Sequence, residues 1–321
     1  MITLKTASTM SDKAELERNK AVALRFKKSQ GTKEMPQVEK EVLAPNYNRI
    51  RGGNFHLASN ARDQGWPEPG MYLRTAFPDR VDIIEQVVAE DDTVGLLFRL
   101  NATHQGNLFG IPATGRKINV YEIALLRIVN GQMVEGWFMM DEAELLRQLG
   151  ARMPARKDGR IIAPPAMEPG ESADTLAQRF GATSPATQHD RHKAIVARSR
   201  SSTPAAADKA PDYQRRREAF QHLHDFGVAR GKGGETLRTA ISERRDPIDR
   251  LVADGDQVWA RFYLNGAHQS PLYGLAATGK RVGVPAVEIA RFASGKFKDS
   301  WCFGDELGLL LQLGVPNLLF E

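Results

Sequence analysis

The chain has 321 residues, of which 41% are apolar and 26% are charged. Its length is enough for two ordinary domains, and no apolar run approaches the roughly 20 residues that a membrane helix needs. The net charge of +5 is spread without a basic stripe interleaved with aromatic residues, so we expect no nucleic-acid partner. The first residues lack the apolar run of a secretory signal, so we expect a cytoplasmic protein.

Helical spacing comes first along the chain. Leu16, Ala23 and Phe26 share one helical face and predict an opening helix. A polar, glycine-rich region containing Tyr47 and His56 follows.

Strand patterns come later. Apolar residues alternate over 94–100, and a second strand is predicted over 119–128. Asn130-Gly131 predicts a tight turn. The last strand, 133–141, leads into a helix that ends at Gly150. Helices followed by an antiparallel meander predict an α+β fold.

The same pattern then recurs. Residues 101–115 read NATHQGNLFGIPATG and residues 265–279 read NGAHQSPLYGLAATG. Residues 137–150 read WFMMDEAELLRQLG and residues 301–314 read WCFGDELGLLLQLG. His104 and His268, Asp141 and Asp305, and Gly150 and Gly314 are all 164 residues apart. A repeat of this length is a duplicated domain.

The composition between the repeats predicts the domain boundaries. We place a first domain at 1–155, a Pro-, Ala- and Gly-rich linker at 156–185, and a second domain at 186–321. The segment 175–180 is predicted to form a linker helix, and the Ala/Ser/Pro-rich patch 199–211 is predicted to be a loop.

The motifs of both repeats resemble the SnoaL-like polyketide cyclase family, also called ester cyclases. They are H-Q-x-x-L-[FY]-G-x-x-A-T-G-[RK], the Asn/Ser-Gly turn, W-x-x-x-D and Q-L-G. The resemblance implies two cone-shaped domains related to nuclear transport factor 2, each a curved antiparallel sheet wrapped over helices around a pocket. It also implies that the two domains pair as an intramolecular pseudo-dimer, with homo-oligomers possible.

The resemblance also implies a function. Characterised enzymes of this family close polyketide rings by intramolecular aldol condensation, without a metal or an organic cofactor. We therefore expect a lyase- or isomerase-type enzyme of polyketide metabolism, acting on a hydrophobic small molecule that bears a carbonyl group. The alternatives are a non-catalytic binding module, or another lyase, isomerase or hydrolase reaction in the same pocket.

The resemblance places the family's acid/base aspartate at Asp141 and again at Asp305. Alternation along the last strand puts each aspartate on the face that carries its aromatic residues, which we expect to line the pocket. Burial would raise the pKa of the carboxyl and suit it to remove a proton next to a carbonyl. Alternatively Asp141 is only a helix N-cap, with Glu144 completing a capping box.

His104 and His268 are further catalytic candidates, because their strand parity points them to the apolar face. They could orient a substrate oxygen or share a proton with the aspartates. The alternative is a buried histidine bonded beside the Thr-Gly turn. The candidate substrate-binding residues are His56, His222, Trp137, Trp301, Phe109, Tyr273, Met139 and Phe303.

The remaining polar residues of interest have structural interpretations. Arg127 and Arg291 are expected to pair with Glu122 and Glu288, because a half-buried arginine needs a carboxylate. The lone Cys302 excludes a disulfide framework and a cysteine-based metal site, and it is not expected to be a nucleophile. The histidines are too dispersed to predict a metal site.

Overall fold

The computed structural model describes residues 10–66, 69–164, 166, 170–183, 186–200 and 208–320. Most of the 199–211 patch, residues 201–207, and parts of the linker lie outside the described residues. Within the described part of the chain, no helix is both long and apolar enough to cross a membrane.

The first domain opens with helices and ends with a meander and a helix. Its elements are α1 Met10–Lys28, α2 Met35–Val42, β1 Leu43–Arg51, α3 Phe55–Asp63, α4 Pro69–Ala76, β2 Val81–Glu90, β3 Thr93–Thr103, β4 Lys117–Val129, β5 Gln132–Met140 and α5 Glu142–Leu149.

The second domain repeats this order after a linker helix. The elements are α6 Ala173–Gly181, α7 Gln188–Arg200, β6 Lys209–Arg217, α8 Gln221–Ala229, α9 Leu237–Ala240, β7 Ile241–Arg245, β8 Ile248–Asp254, β9 Gln257–His268, β10 Arg281–Ala293, β11 Lys296–Gly304 and α10 Glu306–Leu313. A short 3-10 helix, Pro316–Phe320, follows.

Each domain is built on one sheet. The strand order is β1-β5-β4-β3-β2 in the first and β6-β11-β10-β9-β7 in the second, where β8 also pairs with β9. The α+β prediction is confirmed. The sheets are mixed rather than fully antiparallel, because β1 and β6 join β5 and β11 in parallel. These edge strands are polar and mostly unburied, so they lack the alternation that reveals a strand.

Both faces of each sheet are buried, against different partners. In the first domain, Leu96 and Phe98 of β3 pack on Ala23 and Phe26 of α1. The opposite face packs on the sheet of the second domain, in a cluster that combines both repeats: Val88, Leu97, Ile123, Leu125, Trp137, Met139, Val252, Trp259, Val287, Ile289 and Phe303. We call this set the inter-sheet cluster.

The inter-sheet cluster corrects one expectation about the last strand. Trp137 and Met139, like Phe303 in the second domain, face the other domain rather than the inside of their own cone. It is Phe138 and Met140 that face their own helices. Alternation separates the two faces of a strand, but it does not show which buried face lines the pocket.

Candidate active site between the domains

Asp141 and Asp305 are N-caps. Asp141 Oδ1 accepts a hydrogen bond from the Glu144 N–H at 3.0 Å, and Asp305 Oδ1 accepts one from the Gly308 N–H at 2.9 Å. The capping box predicted at Asp141 is not formed, because the Asp141 N–H donates to the carbonyl of Tyr121. The Glu144 carboxylate instead bonds Arg147.

The second carboxylate oxygen of each aspartate binds the other domain. Arg51, the last residue of β1, donates to Asp305 Oδ2 at 3.0 Å. Arg217, the last residue of β6, donates to Asp141 Oδ2 at 2.8 Å. The duplication therefore produces two pseudo-equivalent sites at the domain interface, each assembled from both repeats.

We call these two sites A and B. Site A consists of Arg51 and His56 from the first domain with Asp305, Gly308 and Leu311 from the second. In site B the roles of the domains are exchanged. Arg217 and His222 come from the second domain, and Asp141, Glu144 and Arg147 come from the first.

The histidine of site A is in direct contact with the aspartate. His56 Nε2 lies 2.9 Å from Asp305 Oδ2 and 3.0 Å from Oδ1. His56 is 2% exposed and Asp305 is 4% exposed. The contact is therefore shielded from water, which strengthens it.

A buried glutamate binds the backbone at the start of the helix that carries each histidine. Glu142 accepts the backbone N–H groups of His56 and Leu57 at the start of α3, at 3.1 and 2.9 Å. Glu306 accepts the N–H of Leu223 at 2.6 Å in the same way at α8. Burial raises the pKa of Glu306 to about 7. These glutamates anchor helix N-termini, where negative charge is favourable.

The ionisation of site A differs from the sequence-based expectation. Burial alone would raise the pKa of Asp305, but the His56 imidazole and the Arg51 guanidinium hold that pKa well below its ordinary value. Burial alone would lower the pKa of His56, but attraction to Asp305 raises it. The expected upward shift of Asp305 is wrong, because the adjacent cations outweigh desolvation. Both shifts favour the charged forms of the pair, an imidazolium and a carboxylate.

A cavity of about 370 Å³ borders His56. Residues 153–156 and 159–162, of the segment that leaves the first domain, line it together with residues of the C-terminal 3-10 helix. Much of its lining is apolar: Leu146, Met153, Pro154, Ile161, Ile162, Leu307, Leu311, Pro316 and Phe320. Such a lining suits a hydrophobic ligand.

Site B borders a cavity of about 400 Å³ with a different lining. Glu144, Arg147 and Asp225 join His222 here, beside the apolar side chains of Leu223, Phe226, Leu310 and Leu318. His222 Nε2 lies 3.1 Å from Glu144 Oε2 and 3.9 Å from Asp141 Oδ1. The two cavities are therefore chemically distinct despite their common origin.

The structure does not bring His104 and Asp141 together. His104 continues the β3 face that packs on the helices of its own domain, beside Phe77, whereas Asp141 lies on the opposite, inter-domain face. His104 Nδ1 accepts the Thr114 N–H at 3.2 Å, and burial lowers the pKa of this histidine. His268 is bonded in the same way to Thr278. Both histidines therefore match the alternative interpretation, a buried histidine bonded beside the Thr-Gly turn.

The other candidate residues are in packed cores. Phe109 and Tyr273 lie in the cores of their own domains, and Trp301 packs against the inter-sheet cluster. The predicted arginine pairs are wrong. Arg127 bonds Asp92 at 3.4 Å and Arg291 bonds Asp299 at 3.1 Å, because strand register places these aspartates nearer than Glu122 or Glu288.

Arg51 and Arg217 were missed at the sequence level. A signal was present, since both repeats carry Y-x-R-x-R, at 47–51 and at 213–217. The motif lies in a polar edge strand, and a search for hydrophobic periodicity does not detect such a strand. Its function becomes visible only when the partner domain supplies the aspartate.

Asp141, His222 and Glu306 place possible metal-ligand atoms within 4.8 Å of one another. Both Asp141 oxygens already accept hydrogen bonds, from Glu144 and Arg217. The Glu306 oxygens accept backbone N–H groups at the start of α8. A cation would have to displace these bonds, so we assign no metal to this cluster.

The model of the SnoaL-like polyketide cyclase family matches residues 71–149 and 224–313, together more than half of the chain. The chain belongs to this family. The two matched segments confirm the tandem duplication. Asp141 and Asp305 lie within them, whereas Arg51, His56 and Arg217 precede them.

Two curated relatives are cyclases. Aklanonic acid methyl ester cyclase DauD of Streptomyces sp. (strain C5) is 34% identical over 95 residues, which is 29% of this chain and 59% of that protein. Aklanonic acid methyl ester cyclase DnrD of Streptomyces peucetius is 33% identical over 90 residues, 28% of this chain and 62% of that protein. The chain thus spans about three fifths of the length of these relatives.

Solved structures were also matched. A SnoaL-like protein from Jannaschia sp. CCS1 is 24% identical, with 42% of this chain and 93% of that chain covered and a TM-score of 0.35. TsrD from Streptomyces laurentii is 22% identical, with 42% and 96% covered and a TM-score of 0.33.

Proposed function

We propose that this SnoaL-like protein is a cofactor-independent cyclase that closes a ring in a hydrophobic molecule bearing at least two carbonyl groups. The observation that carries the proposal is the buried His56–Asp305 pair, whose histidine lines a largely apolar cavity of about 370 Å³. Membership of the family and the two cyclase relatives support ring closure as the reaction class.

His56 acts as the acid/base group in this proposal. With Nε2 held by Asp305, Nδ1 is the ring nitrogen left for a ligand. The neutral imidazole removes a proton from a carbon next to one carbonyl, and the resulting enolate carbon attacks the second carbonyl of the same molecule. The imidazolium then returns the proton to the new alkoxide. One C–C bond forms and a C–H bond is replaced by an O–H bond, so no oxidant or reductant is needed.

Asp305 is a positioning residue in this mechanism. Its carboxylate orients the imidazole and stabilises the imidazolium, as the aspartate of a catalytic triad does. The role differs from the one expected from the sequence, in which the aspartate itself removed the proton. A carboxyl group whose pKa is held low is a weak base, whereas the raised pKa of His56 makes its neutral form a stronger one.

Aklanonic acid methyl ester, the compound in the relatives' names, is the probe for a first test. Ring closure yields an isomer of equal mass, which chromatography separates. We expect turnover by the wild type and a loss of about 10²–10⁴-fold in His56→Gln, which is the usual contribution of general acid–base catalysis. Full activity of a folded His56→Gln protein would eliminate the mechanism.

The dependence of the turnover rate on pH tests whether Asp305 acts through His56. Because Asp305 raises the pKa of His56, the rate should rise with pH as His56 loses its proton. In Asp305→Asn this attraction is gone, so the rising limb should move to lower pH while the maximal rate falls. If the rising limb of the pH–rate profile lies at the same pH in both proteins, Asp305 does not act through His56.

A binding module without catalysis is the second candidate. It is favoured because both carboxylate oxygens of each aspartate already have structural partners, one in a helix cap and one in an inter-domain ion pair. Saturable quenching of tryptophan fluorescence by the ester, with no isomer formed by the wild type, would support the binding module over the cyclase.

A further inference from the structure

We propose that site A alone is catalytic, that Gly308 is the residue that allows it to be, and that Glu144 disables the pseudo-equivalent site B. The inference rests on the proposed function for its catalytic part. Two residues of α10 and their counterparts in α5 carry the argument. The duplication began with two similar sites, and these positions now differ in size and charge.

Gly308 leaves room for the histidine. A Cβ atom at this position would lie 2.8 Å from His56 Nε2 and 2.9 Å from Asp305 Oδ1. Non-bonded atoms do not approach a Cβ this closely, so any side chain at 308 would push the imidazole away from the carboxylate. The contact between His56 and Asp305 therefore depends on glycine here.

Backbone conformation does not explain this glycine. Gly308 lies in the first turn of α10 and is not among the glycines with positive φ. Glycine is among the least favourable residues in a helix. An unfavourable helix residue therefore stands where a side chain would collide with His56. This points to selection for the contact between His56 and Asp305.

Glu144 is the counterpart of Gly308, 164 residues earlier. Its carboxylate lies 3.1 Å from His222 Nε2, and the imidazole remains 3.9 Å from Asp141. Glu144 is itself held by Arg147 through two hydrogen bonds of 2.6 Å. The histidine–aspartate contact of site A is therefore replaced by a histidine–glutamate contact in site B.

The second differing position contributes to the different polarity of the two cavities. Leu311 lines the cavity of site A, and its counterpart Arg147 lines that of site B. A hydrophobic substrate in site B would strip water from Glu144, Arg147 and Asp225, and desolvating charges is costly. In site A the same molecule would meet leucine, isoleucine, proline and phenylalanine side chains beside Arg156 and Arg160, and no carboxylate is among the described residues that line this cavity.

Paired histidine variants test this asymmetry. We expect His56→Gln to lose at least 100-fold in turnover of aklanonic acid methyl ester, and His222→Gln to retain at least half of the wild-type rate. If both sites worked independently, each single variant would keep about half of the activity, and that result would overturn the inference while leaving the proposed function standing. If both variants kept full activity, the acid/base role of His56 would fail instead.

Gly308→Ala tests the steric argument without relying on the histidine variants. Alanine is a better helix former than glycine, so the fold should persist, as circular dichroism and thermal unfolding can verify. We expect turnover to fall by at least tenfold and the pKa of His56, followed by NMR titration, to fall with it. The titration needs no substrate, so it remains informative if the wild type does not turn over the ester. An unchanged His56 titration in Gly308→Ala would overturn the role of Gly308.

Discussion

Asp305→Asn is expected to destabilise the whole chain, because it breaks a buried ion pair that joins the two domains. The side chains of Arg51 and Asp305 are 2% and 3% exposed. Asparagine keeps an oxygen for the Gly308 N–H, so the helix cap survives and the loss reports the charge and the Oδ2 acceptor that faces Arg51 and His56. Removing one partner of a buried pair costs about 3–5 kcal/mol. Arg51 retains a 2.8 Å hydrogen bond to the Phe138 carbonyl, so we expect a loss of about 3 kcal/mol.

The loss should depend on pH in a defined direction. The folded-state pKa of Asp305 is lowered, so its contribution is present above the unfolded value of about 3.9 and disappears as the pH falls below it. The folded-state pKa of His56 is raised, so its contribution is present below about 6.5 and disappears as the pH rises through the folded value. The difference between wild type and variant should therefore be largest between about pH 4 and 6.5.

Urea unfolding followed by tryptophan fluorescence provides the measurement, because Trp137 and Trp259 lie in the inter-sheet cluster. Glu243→Gln is the matched control. It removes a charge from an ion pair with Arg281 in which the two side chains are 71% and 65% exposed, so its midpoint should not change. A loss below about 1 kcal/mol at pH 6 for Asp305→Asn, or a loss that is the same at every pH, would refute the reasoning.

Two further predictions concern the whole chain and its cysteine. We propose that the face-to-face packing of the two sheets persists in solution, in which case X-ray scattering should give a radius of gyration of about 20 Å; a clearly larger value with two separated maxima in the distance distribution would contradict it. Cys302 is fully buried, and burial together with Glu288 raises the pKa of its thiol. It should be inert to a thiol reagent in the native protein and react on unfolding, whereas rapid native labelling would show that the core around it opens.

Local features were predictable because their signals lie in neighbouring residues. Asp141 and Asp305 cap helices through the N–H three residues later, and such a contact depends only on residue type and spacing. The duplication was visible as a constant offset of 164 residues. Three strands of each repeat and the final helix that follows them were predicted from apolar periodicity and turn signals, whereas β2, β7 and β8 were not predicted. The polar sequences of β1 and β6 carry no such periodicity.

What the aspartates bind was decided by tertiary structure alone. Arg51 and Asp305 are 254 residues apart, and no local pattern relates residues at that distance. The face of the last strand was equally undetermined, because Trp137 and Phe138 are both buried, one against the other domain and one against its own helices. A strand's alternation defines two faces, and only the packing of the domains decides what each face meets. The local sequence therefore determined that each aspartate can cap a helix, and the pairing of the sheets determined the ion-pair partners of the aspartates.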